Sequence, residues 1–167
     1  RDDAYALPLP RMTHADRNAP APTAPPGLLP PSVERKLDFS FSGLKTAVLR
    51  LVREKTADGR DLSEQEVRDI CASFQRVVVK TLVERTFTAQ QRYGARSVGV
   101  AGGVSANSRL RADIKAYGDA REIPTFVPSL QLSTDNAAMI AAAGLRKFRA
   151  GSISQLDLNA DAALALT

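Results

Sequence analysis

The apolar run Val98 to Ala101 passes straight into the pair Gly102-Gly103 and then into a helix-like stretch from Ser105 onward. A strand that ends on two residues without Cβ atoms lets the backbone come close to a ligand, and amides opening the next helix point at whatever lies there. One reading of this turn is a phosphate or nucleotide site. The other is an ordinary strand-to-helix connection, since short glycine motifs carry little specificity alone.

A second strand-like segment, Thr125-Phe126-Val127, stands between Pro124 and Pro128 and leads to Leu132-Ser133-Thr134-Asp135-Asn136 and a helix crowded with small residues, ending near Ala150. Alternation of helix and strand predicts an α/β layer with parallel pairing and right-handed crossovers. In such sheets ligands sit outside the carboxyl ends of the strands, so both loops are expected at one edge. Gly102, Gly103 and Asn107 come from the first loop, Ser133 to Asn136 from the second. Asn107 can serve as a helix-entry residue or meet an adenine edge or phosphate. Asp135 can satisfy a helix start through the macrodipole, or ligate a metal or ribose. The small residues of the last helix predict close packing against a neighbouring backbone or a ligand.

Upstream, Leu37, Phe39 and Phe41 alternate with Asp38 and Ser40, which predicts a half-buried strand. Ser42 then serves as N-cap of a helix to about Lys55. Ser63-Glu64-Gln65-Glu66 is a capping box, opening a long helix that runs to Tyr93 and stops at Gly94. Cys71 falls on that helix's apolar stripe and reads as core filling. A further helix, about Ser105 to Tyr117, is expected to close at Gly118.

Residues 1 to 36 carry eight of the ten prolines, so they are expected to form a loose, extended arm, with 37–151 as the folded domain and 152–167 as a tail. His14, in the arm, is the one histidine and reads as a solvated side chain. The chain opens at Arg1 rather than Met, which suggests a fragment. A lone cysteine allows no intrachain disulfide and suits a reducing, cytoplasmic home, and no segment is apolar enough for a membrane span. Lys and Arg number 23 against 18 for Asp and Glu, a net charge of +5 that favours a polyanionic partner without requiring one.

Three stretches carry a resemblance: Leu37-Asp38-Phe39-Ser40-Phe41-Ser42-Gly43-Leu44-Lys45-Thr46, Ala101-Gly102-Gly103-Val104-Ser105-Ala106-Asn107, and Ser133-Thr134-Asp135-Asn136-Ala137-Ala138-Met139-Ile140-Ala141. Together and in this order they resemble the C-terminal half of the TsaD family, also called Gcp or YgjD, over about Leu37 to Gly151. The resemblance implies the C-terminal lobe of an actin-like ATPase (ribonuclease H-like) fold, helix-rich with a small sheet. It implies transfer of a threonylcarbamoyl group from its adenylate to N6 of the adenosine 3′ of the anticodon in tRNA. Gly102, Gly103 and Asn107 would then contact threonylcarbamoyl-adenylate or ATP, and Asp135 would be one ligand of a divalent metal, iron or zinc. Implied partners are tRNA, a paralogous actin-like protein and a small P-loop ATPase. Lys45, Arg50, Arg109 and Arg111 would be the cations that approach tRNA phosphates. The family's histidine pair and its second glycine-rich loop have no counterpart here, so the chain alone is expected to be inactive. A non-catalytic actin-like scaffold and another actin-like kinase lobe, such as that of a sugar kinase, are the competing readings; a glycoprotease is set aside because no HExxH-type site is present.

Overall fold

A computed structural model describes residues 1–10 and 37–155, together with 157 and 159. Its elements in order are helix α1 (Ser42–Lys55), helix α2 (Glu64–Tyr93), strand β1 (Val98–Gly99), helix α3 (Ser108–Asp119), strand β2 (Thr125–Phe126) and helix α4 (Ala137–Arg149). His14 and most of the proline-rich stretch lie outside the described residues.

The long helix α2 begins where the capping box requires. Ser63 Oγ accepts from the Glu66 amide at 3.2 Å, and Glu66 Oε2 accepts from the Ser63 amide at 3.0 Å. The same carboxylate takes two bonds from Arg60, both 2.9 Å, and one from Lys55 at 3.1 Å. These donors, Arg60 foremost, hold the Glu66 carboxyl well below the usual carboxylate range. Lys55 closes α1 and Glu66 opens α2, so one acid joins the two helix ends. At its other end α2 stops on Gly94, where the Ala95 amide reaches back to the Gln90 carbonyl at 3.0 Å.

Thirty residues make α2 roughly 45 Å long, and its two halves pack differently. Val79, Val83 and Phe87 from the second half join Val98, Leu110 and Ile114 in the core, with Val100, Tyr117, Ile123 and Val127 at its margin. Phe87 and Tyr117 bring their rings to 4.7 Å. The first half buries Ile70, Ser73 and Val77, and residues 1–10 dock beside it. Ser73 Oγ accepts from the Tyr5 amide at 3.2 Å, and Arg76 Nε donates to the Asp2 carbonyl at 2.6 Å. Cys71, expected in the core, is instead exposed, and so is Val67. Residue 71 stands about 100° round the helix from Ile70, and the apolar stripe there is broader than what covers it.

The two short strands pair in parallel, Val98 opposite Thr125 and Gly99 opposite Phe126. The ladder continues past both ends, from the Val98 amide to the Pro124 carbonyl (2.9 Å) and from the Val100 amide to the Phe126 carbonyl (3.0 Å). Helix α3 makes the crossover between them and packs on α2. Gly118, expected to end this helix, is buried inside it. A Cβ there would stand 2.1 Å from Thr125 Oγ1 and 2.9 Å from the Ile123 carbonyl, so the missing side chain is what lets α3 meet β2.

Three further expectations are corrected. Leu37 to Phe41 form no strand: among the described residues strands β1 and β2 pair only with each other, and a strand without a neighbour leaves its backbone groups unpaired. The Phe39 and Phe41 rings instead meet edge to face at 5.2 Å. Ser42 is the first residue of α1 rather than its cap, and its amide is met by Ser40 Oγ at 3.2 Å. Of the two neighbours expected for helix α4, a closely packed backbone is not supplied by the described residues: the helix buries no residue, and Met139, Ile140, Leu145 and Phe148 are all exposed. Among the described residues no helix is long and apolar enough to cross a membrane.

Candidate functional site

Because β1 and β2 run the same way in register, the chain leaves both of them at the same edge of the sheet. The first exit is Ala101 to Asn107. Gly102 takes φ 82° and ψ 172°, a conformation that a side chain would strain, and it reverses the chain out of β1. Gly103 to Ala106 then form a 3-10 turn, closed by the Ser105 amide on the Gly102 carbonyl (2.9 Å) and the Asn107 amide on the Val104 carbonyl (3.0 Å). Gly102, Gly103 and Val104 are exposed, and a Cβ added at either glycine would meet nothing within 4 Å. The turn therefore opens onto free space.

Helix α3 starts three residues later than the spacing alone suggests, because the 3-10 turn intervenes. Asn107 is its N-cap: Oδ1 accepts from the Leu110 amide at 3.0 Å. That bond uses the oxygen of the side-chain amide, and Nδ2 has no partner among the described residues. Of the two roles considered for Asn107, the structure has the helix entry.

The second exit repeats the device. Ser133 is buried and its Oγ donates to the Ser129 carbonyl at 3.0 Å, tying down the 3-10 turn Leu130–Leu132. Asn136 caps α4, with Oδ1 accepting from the Met139 amide at 3.0 Å and Nδ2 donating to the Thr134 carbonyl at 3.1 Å. Sequence reasoning did not single out Asn136 as the cap, although an Asn three residues ahead of the first well-bonded amide is the signal. The consequence falls on Asp135. It precedes the cap, so it lies outside the first turn and accepts none of the free amides that would explain an acid there. Its carboxylate is exposed and has no hydrogen bond or ion pair among the described residues.

Asp135 has the donor chemistry of a hard or borderline metal ligand but supplies one ligand only. Among the described residues no three His, Cys, Asp or Glu side chains cluster so as to hold a metal ion. Of the cations considered for phosphate contacts, Lys45 and Arg50 are exposed on α1. Arg109 is engaged by Asp113 at 2.8 Å and Asp2 at 3.1 Å. Arg111 donates through Nη1 to the Ser105 carbonyl at 3.0 Å, a contact that no sequence pattern announced. A separate cleft of about 480 Å³ between α2 and α3 is lined by Arg76, Lys80, Arg109, Tyr117 and Arg121 among others, and neither loop contributes to it.

Comparison with known proteins bears on what this edge does. A family model described as TsaD, tRNA N6-adenosine threonylcarbamoyltransferase, matches residues 2–142. The match begins well before Leu37 and takes in the segment docked on α2. Curated proteins called tRNA N6-adenosine threonylcarbamoyltransferase are similar to this chain. That of Symbiobacterium thermophilum is 50% identical over 80% of this chain and 38% of its own length. The protein from Carboxydothermus hydrogenoformans is 47% identical over the same shares, and the one from Chromobacterium violaceum 45% identical over 68% of this chain and 33% of its own length. The matched part of the chain thus spans less than two fifths of the length of these relatives.

Proposed function

This chain belongs to the TsaD family, and on that premise we propose that it forms the C-terminal lobe of an actin-like tRNA threonylcarbamoyl transferase and supplies half of its adenylate site. The parallel register of β1 and β2 carries this reading, since it sends the glycine turn and the Asp135 loop out of one sheet edge. The amides of Gly102 and Gly103 and Nδ2 of Asn107 hold the adenylate of threonylcarbamoyl-adenylate, or the phosphates of ATP. Asp135 would give one oxygen to an iron or zinc ion whose other ligands come from the unmatched part, and such an ion would supply polarisation of the carbamoyl carbonyl. The exocyclic N6 amine of the tRNA adenosine forms the new C–N bond as the bond from the carbamoyl carbon to the phosphate oxygen breaks, AMP departs, and the amine gives up a proton. Donors fixed at the turn stabilise the negative charge that grows on the departing phosphate without reorganising.

The rest of the cleft comes from the part of the family protein that this chain does not match. A paralogous actin-like protein and a small P-loop ATPase are the partner proteins, and a cytoplasmic setting suits a tRNA substrate. The test is transfer of labelled threonylcarbamoyl to tRNA with those partners present. These 167 residues alone should transfer nothing, whereas their fusion to the unmatched segment of the Symbiobacterium thermophilum relative should be active. Transfer by the chain alone refutes the half-site, and an inert but folded fusion refutes the transferase.

A further inference from the structure

The glycine turn does not hold itself. It is exposed from Gly102 to Val104, and its internal bonds are those of a single 3-10 turn, a geometry weaker than α-helix and short-lived on its own. It also contains a poorly accommodated group: Ser105 is fully buried, and its Oγ has no hydrogen-bond partner among the described residues. An orphaned buried hydroxyl disfavours the conformation that buries it. Some other interaction must keep Ser105 inward and the turn's amides outward.

The arginine one helical turn into α3 does this. We propose that Arg111 is a positioning residue for the nucleotide turn, holding the Ser105 carbonyl through Nη1 at 3.0 Å so that the amides ahead of it stay aimed at the open side. The reach runs backwards over the Asn107 cap, from the first turn of α3 to the centre of the 3-10 turn, so helix and turn move as one body. The contrast with Arg109 supports the assignment. Arg109 is neutralised by Asp113 and Asp2, whereas Arg111 has no carboxylate partner among the described residues and spends its guanidinium on a neutral carbonyl. Its charge therefore remains beside the turn, where it favours an anion.

What the turn binds rests on the reading given under Proposed function; how it is held does not. Two measurements on the fusion keep these apart. Amide hydrogen exchange at Ser105 and Asn107 reports opening of the turn, with Leu110 to Gly118 as the control for α3. Titration with AMP reports binding. Arg111→Ala should speed exchange at the two turn amides about tenfold or more, the lower end of what one hydrogen bond from a charged donor is worth, while leaving the helix control unchanged. It should weaken AMP binding by a similar factor. Arg111→Lys, which keeps a charged donor, should restore at least half of the lost protection. Unchanged exchange at Ser105 and Asn107 in Arg111→Ala overturns the proposal, as does loss of protection throughout α3, which would make Arg111 a general stabiliser of the fold. A fusion that ignores AMP but whose turn loosens in Arg111→Ala upholds the positioning role and overturns the nucleotide reading instead.

Discussion

Alanine at Gly118 will cost the chain about 2–3 kcal/mol of stability, the upper range for overpacking a close contact. The added carbon would meet Thr125 Oγ1 at 2.1 Å and the Ile123 carbonyl at 2.9 Å. A side-chain oxygen can rotate away, at the loss of its 3.1 Å bond to the Ile123 carbonyl, but that carbonyl belongs to the backbone that turns α3 into β2 and cannot. Relief therefore requires α3 to lift from β2, and Leu110 and Ile114 lift with it out of the core. Urea denaturation checks the figure. Gly43→Ala, in α1 with nothing within 4 Å of the new carbon, provides the control and should leave stability equal or slightly higher. Adding Thr125→Ala to Gly118→Ala should recover part of the loss but not all, because the carbonyl contact remains.

Asp135→Ala will lower threonylcarbamoyl transfer by the active fusion at least about a hundredfold, as expected when a ligand of a charge-stabilising metal is removed. Its effect on folding will be small, since the carboxylate is exposed and no described residue bonds to it. That separation of effects is the diagnostic. Metal content measured on the purified variant should fall together with transfer, while the urea midpoint stays within error of the parent. An undiminished metal content in an inactive variant would move Asp135 from the metal to the substrate.

Much of this architecture was legible because its signals are local. The capping box at Ser63 and Glu66 and the stop at Gly94 are decided within one helical turn, and the structure has both where the spacing predicts them. Parallel pairing of the Val98 and Thr125 segments followed from the intervening helix, which leaves no short way to pair them otherwise. Signals that depend on what lies opposite were less legible. Leu37 to Phe41 alternate as a strand does, but the alternation says nothing about whether a neighbouring strand exists to complete it. Cys71 matches an apolar period, yet burial depends on how wide a face residues 1–10 cover. The small residues of α4 similarly predict a close neighbour, and no described residue supplies one. At the site, the glycine turn could be read from its letters, whereas the Arg111 bond across six residues could not, because it needs the 3-10 turn that shifts the start of α3.

Backbone amide shifts followed by NMR during a titration with AMP test most directly whether the two loops share one nucleotide cleft. A shared cleft predicts perturbations that saturate together in Gly102 to Asn107 and in Ser133 to Asn136, with one dissociation constant. Shifts confined to a single loop, or clustered instead around Tyr117 in the cleft between α2 and α3, would contradict it.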